Sequence, residues 1–154
     1  MLAICALPFL TAGQHKKSHT STAECDPALW AHVWSPERLK KLADCVEVTG
    51  TVTECRRESD GDLHILLLPD KPYAGMLNAV NEKEKAGCLV IEIVCVGNGK
   101  EKKEKESCDG YKNHIQVPEV NDRIKVSGSL VTDLHHGWNE IHPVSRITRA
   151  GKKK

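Results

Sequence analysis

Two alternating stretches, each interrupted at its centre by a glycine, constrain this chain most. In Cys45-Val46-Glu47-Val48-Thr49-Gly50-Thr51-Val52-Thr53-Glu54-Cys55, the residues Val46, Val48 and Val52 point one way and the Thr and Glu residues mostly the other. Arg123-Ile124-Lys125-Val126-Ser127-Gly128-Ser129-Leu130-Val131 repeats the pattern. Period-two alternation of this kind marks a half-buried strand. A glycine inside such a strand marks a bulge or a close approach of another backbone, where the strand bends.

Three more strands follow from similar patterns. Ser59-Asp60-Gly61 is a turn, and Asp62 to Leu68 returns from it to make a hairpin with the first strand. Cys88 to Cys95 is apolar on both sides and is expected at the centre of the sheet. Residues 137 to 147 form the fifth. Tyr73 to Ala86 reads as a helix with Leu77 and Val80 inward, stopped by Gly87. Ser35-Pro36 opens a helix of one or two turns that ends before Cys45, with Trp30 and Trp34 packing this segment on the body. The mixed-charge run Lys100 to Glu106 reads as a solvated loop within a long connection, 97–120. The fold class is therefore mainly β: a five-stranded barrel with one or two short helices.

At 154 residues the expected count is one domain. The apolar run Leu2 to Leu10, followed by Thr11-Ala12-Gly13, has the composition of a secretory signal, so residues 1–13 are read as a signal remnant. Residues 14–24 form a polar linker, 25–148 the folded domain and 149–154 a basic tail. No apolar run reaches the ~18 residues of a membrane span. Without the leader six cysteines remain, Cys25, Cys45, Cys55, Cys88, Cys95 and Cys108. They fit a secreted, periplasmic or extracellular setting; buried free thiols are the alternative. Cys95 and Cys108 flank a polar loop and are the candidate local bridge. Net charge is +1 and only six residues are aromatic, which argues against tight general binding of nucleic acid.

Val48-Thr49-Gly50-Thr51-Val52 and Asn121-Asp122-Arg123-Ile124-Lys125-Val126-Ser127-Gly128 resemble words found in OB-folds. One departure is that such barrels usually carry their helix between strands three and four, whereas the helix expected here lies between two and three. The body from Trp30 to Ile147 also resembles a family of small exported prokaryotic OB-fold-like proteins. The words that carry the likeness are Trp34-Ser35-Pro36, Asp60-Gly61-Asp62-Leu63-His64, Leu89-Val90-Ile91-Glu92-Ile93 and His136-Gly137-Trp138-Asn139-Glu140-Ile141-His142-Pro143-Val144. The resemblance implies fold and export, and no activity.

The candidate site comes from alternation. Asp62 and His64 share one face of the second strand, and Leu63, Ile65 and Leu67 the other, core-facing one. On the fifth, His136, Trp138, Glu140 and His142 share a face opposite Asn139 and Ile141. If both strands neighbour the third, their polar faces lie about 10 Å apart on the outside of the barrel, and Glu92 stands between them. Three functions follow. A binding module would present Trp138, Asn139 and Glu92 to an oligonucleotide or oligosaccharide. A metal-dependent hydrolase acting on a phosphodiester would hold a divalent ion such as zinc on His64 and His142, with Glu140 or Asp62 as further ligand or general base. A structural role through self-association is the third. His135 and His136 at a hairpin tip are expected to be exposed.

Overall fold

Leu39–Arg57 runs as one 19-residue strand, β1, and its length sets the architecture. Its second half pairs antiparallel with β2, Leu63–Pro69, and its first two-thirds with β4, Arg123–Asp133. A strand this long can serve two neighbours on opposite edges only by bending. It does so through register shifts between Val52 and Glu54 against β2, and at Ala43 against β4. β3, Leu89–Ile93, lies antiparallel to β2 and parallel to β5, Asn139–Arg149, which returns antiparallel to β4. The mixed sheet therefore closes in the cyclic order β1-β2-β3-β5-β4, and no strand is left with an open edge. The computed structural model describes residues 24–97 and 99–151. The signal-like stretch 1–13, nearly all of the linker and residues 152–154 of the tail lie outside the described residues.

The two strand glycines are required by contact. A Cβ on Gly50 would press into the carbonyl oxygen of Leu68, and one on Gly128 would stand 2.5 Å from both Ile141 Cγ2 and the Pro143 carbonyl oxygen. Inside the barrel the alternating apolar sets meet: Val48 and Val52, Leu63, Ile65 and Leu67, Leu89, Ile91 and Ile93, Ile124 and Val126, Ile141 and Val144. A smaller apolar cluster lies outside the barrel, where Val33, Val94 and Cys95 pack with Trp30, Leu39, Cys108 and Tyr111. It seats the 3₁₀ turn Pro27–His32 on the sheet, helped by the bond from Trp30 Nε1 to Ser129 Oγ.

Several expected elements are corrected. The helix from Ser35 shrinks to a 3₁₀ turn, Pro36–Arg38, because Ser35 adopts a left-handed backbone, makes no side-chain cap, and residues 39–43 gain ladder partners on β4. The helix expected over 73–86 splits into a 3₁₀ segment, Lys71–Met76, and α1, Ala79–Glu84. Asn78 restarts it by accepting the backbone N–H groups of Val80 and Asn81. The charged run is not a loop throughout: Lys102–Ser107 forms α2, nucleated by Glu104, whose carboxylate accepts the N–H groups of Lys100 and Glu101. α2 lies between β3 and β4, where sequence reading saw only a long loop. β5 runs on to Arg149, so the tail begins a residue later than expected. Of the six cysteines, Cys25 pairs with Cys45 and Cys95 with Cys108, while Cys55 and Cys88 are free thiols. Among the described residues no helix is long and apolar enough to cross a membrane.

A buried amide network fastens α1 to the start of β5. Asn81, with no exposed surface, donates to the carbonyls of Cys88 and Asn139 and accepts the N–H of Asn139. Each group left unpaired in a buried site costs ~1–3 kcal/mol. Asn81→Ala breaks these three bonds and a fourth, from the Asn78 N–H to the same amide oxygen, and is expected to lower stability by about 3 kcal/mol or more, read as a drop in the urea midpoint without a change in slope. A loss below about 1 kcal/mol would mean that water replaces the network.

Candidate functional site

Sheet register alone brings the polar strand faces together. In the β2–β3 ladder His64 stands opposite Glu92. In the parallel β3–β5 ladder Val90 stands beside Glu140, which carries His142, two residues on, up to the level of Glu92. The side chains complete the contact: His64 Nε2 lies 2.9 Å from Glu92 Oε2, and His142 Nδ1 lies 3.2 Å from the same oxygen. One carboxylate thus bridges imidazoles from two strands. His142 Nδ1 also lies 2.9 Å from Glu140 Oε1, while Glu140 Oε2 accepts the indole N–H of Trp138 at 2.9 Å. Asp62, at the entry to β2, accepts the N–H of Cys95 at 2.7 Å.

The site is not on the surface, contrary to expectation. Glu140 is 1% exposed, His142 and Asp62 4% and Glu92 6%. Burial makes the charges interdependent. It pushes the Asp62 carboxyl up to about 8, with the negative charges of Glu92 and Asp60 acting in the same direction. Burial also acts to lower His142, but the carboxylates of Glu92 and Glu140 outweigh it and hold the imidazole well above its usual value. Glu92 is driven the other way: burial would raise it, and the two histidines keep it well below the carboxylate range. His64 is raised, the Glu92 bond and the charges of Glu92, Glu58 and Glu140 overcoming its burial. Among the described residues, His142 Nε2 is buried with no hydrogen-bond partner.

The expected residues divide into two groups. Asp62, Glu92 and His142 place one ligand atom each within 4.8 Å of one another and could hold a metal ion. His64 and Glu140 do not join that set. They stand behind it as the partners of Glu92 and of His142 Nδ1, the position of groups that orient metal ligands. Asn139 is committed elsewhere: its side chain accepts from Asn78 and Thr132 and donates to the Met76 carbonyl. Trp138 is buried, stacked at 4.1 Å on His136, with the Lys85 ammonium 3.7 Å from the ring centre. Neither residue presents a free face of the kind a stacked base or sugar needs. His135 and His136 are exposed at the turn between β4 and β5, as expected, and His136 Nδ1 lies 2.9 Å from Asp133 Oδ2, which also takes Arg38 at 2.6 Å.

Sequence reasoning missed Asp133 and Lys85. Asp133 carried a signal, since an Asp followed by two residues whose N–H groups it accepts is a turn-forming pattern. Lys85 carried none, because its contact with Trp138 joins the residue after α1 to the residue before β5 through space. Comparison with family models, with curated proteins and with solved structures returned no match.

Burial of Asp62 has a pH signature. Its folded value of about 8 exceeds the unfolded 3.8, so its contribution to stability is complete below pH 4 and is lost as pH rises towards 8. Asp62→Asn keeps an acceptor for Cys95 and never ionises. In chelated buffer its stability should therefore gain on the wild type between pH 4 and pH 8, by an amount on the order of a few kcal/mol, and the difference should level off above. Thermal unfolding across that range measures it; parallel curves would show that Asp62 is solvated.

Proposed function

We propose that this chain is an exported OB-type barrel that works as a divalent-cation-binding module, with Asp62, Glu92 and His142 as the ligands. The strand order, with β2 and β5 both flanking β3, supports the OB reading, and the two disulfides fit an oxidising compartment. The observation that carries the metal reading is the unpartnered, buried Nε2 of His142. A buried polar atom without a partner is costly, and the same ring meets Glu140 and Glu92 at Nδ1 while one of its nitrogens lies within ligand range of Asp62 and Glu92.

Charge balance supports the same reading. Burial raises the Asp62 carboxyl to about 8 and the carboxylates of Glu92 and Glu140 raise His142, so both groups favour their protonated forms. Loss of both protons frees a carboxylate oxygen and an imidazole nitrogen, and a doubly charged cation restores the charge. Exchange of one M²⁺ for two protons therefore leaves the net buried charge unchanged. One imidazole with two carboxylates suits zinc or a similar borderline ion. His64 would act through Glu92, and Glu140 would fix the His142 tautomer.

The depth of the site favours binding over hydrolysis. A substrate would have to reach an ion whose three ligands are each less than a tenth exposed, and Glu140 is tied to Trp138 and His142 rather than aimed at a water.

Calorimetric titration of zinc into the chelator-treated, oxidised protein should give one ion per chain and release about two protons on binding near neutral pH. His142→Ala should abolish this binding, and His64→Gln should weaken it roughly 10–100-fold. Folded protein that binds no zinc, or binds it equally well as His142→Ala, would end this reading.

A further inference from the structure

Asp62 belongs to a second constellation. Its carboxylate and the sulfurs of Cys95 and Cys108 also lie within 4.8 Å of one another. In the oxidised chain those sulfurs are bonded to each other and are poor ligands; thiolates are the ligating form. Both cysteines are held in place by bonds that do not involve the bridge. Cys95 donates its N–H to Asp62, accepts from the N–H of Asn113 at 3.0 Å, and is 1% exposed. Cys108 closes α2, its N–H bonded to the Lys105 carbonyl and its own carbonyl accepting from Tyr111. Cutting the bond between the sulfurs therefore leaves two thiols beside a carboxyl on an already ordered backbone. Access is present too: Cys108 is half-buried and lines a cleft of about 370 Å³ with Gly99, Lys105, Asp109 and Gly110.

We propose that reduction of the Cys95–Cys108 disulfide opens a thiolate metal site, Cys95/Cys108/Asp62, that takes a thiophilic divalent cation. The reductant is a dithiol. Its thiolate attacks one sulfur of the bridge, the other leaves as a thiolate, and the second reductant thiol completes the exchange. Two electrons pass to the protein, which gains two protons as two thiols, and the dithiol becomes a cyclic disulfide. Metal entry then displaces the thiol protons, and the Asp62 carboxylate supplies the third ligand. The ligand set shifts from two oxygens and a nitrogen to two sulfurs and an oxygen, and so towards softer ions. The thiolate site stands independently of the oxidised site proposed above. Competition between the two for Asp62 rests on that reading.

The test uses Co²⁺ as the probe, added anaerobically to the full chain before and after reduction with a water-soluble phosphine, which takes up water oxygen to become its oxide. The reduced protein should show intense near-ultraviolet sulfur-to-cobalt charge-transfer absorption that the oxidised protein lacks. The band should disappear in reduced Cys95→Ser/Cys108→Ser, which retains every other thiol. Asp62→Asn should weaken cobalt binding to the reduced protein at least tenfold. A second measurement needs no variant: zinc should protect Cys95 and Cys108 of the reduced wild type from alkylation, read by mass spectrometry, and leave Cys55 labelled. The proposal is overturned if the double serine variant keeps the band, if reduced wild type has none, or if zinc protects neither thiol. Persistence of the band in His142→Ala separates the two sites, since that change removes only the oxidised one. Failure of zinc to bind the oxidised protein would overturn the earlier reading and leave this one intact.

Discussion

A single carboxylate, that of Glu92, holds the outer face of this barrel together. It lies on β3, every residue of which is buried, and it meets His64 from one neighbouring strand and His142 from the other. A lone carboxylate at that depth would be expensive. Two imidazoles change the sign of the problem, because each becomes easier to protonate while Glu92 becomes harder to protonate. The three groups stabilise one another's charged forms.

That triad depends in turn on closure. Glu92 can face histidines on both sides only because β3 has β2 and β5 as its two neighbours, one antiparallel and one parallel. Closure depends on β1, which bends enough to pair with both β2 and β4, and on Gly50 and Gly128, where another strand runs too close for any side chain. Local backbone chemistry, barrel geometry and the electrostatics of the cluster form one chain of cause. Outside the sheet, the short turn Pro27–His32 and the residues after α2 pack on Val94 and Cys95.

Burial of the cluster is where the expected site and the observed one differ in kind. Alternation identified Asp62, His64, Glu92, Glu140 and His142 as sharing a face, and they do converge. It could not say that this face is out of water, because burial is set by packing between residues remote in sequence. The same blindness made Asn139 and Trp138 look available. Asn139 is saturated by Asn78, Thr132 and Met76, and Trp138 is covered by Lys85 and His136, partners reached through tertiary contact. The split of the expected 73–86 helix has a local cause, since Asn78 is a good helix start, but the network that makes its restart worthwhile is again remote.

What the amino-acid sequence determined by itself is the set of strands, their inward and outward faces, the glycines at the bends and the membership of the polar cluster. These follow from two-residue periodicity and from steric rules that act over neighbouring residues. Tertiary structure alone decided the ladder registers, the burial of the cluster, which two cysteines stayed unpaired and which of the polar groups became ligand candidates rather than their supports. Those outcomes turn on distances between residues far apart in the chain, and on the loss of water from the space between them, neither of which is written in any local pattern.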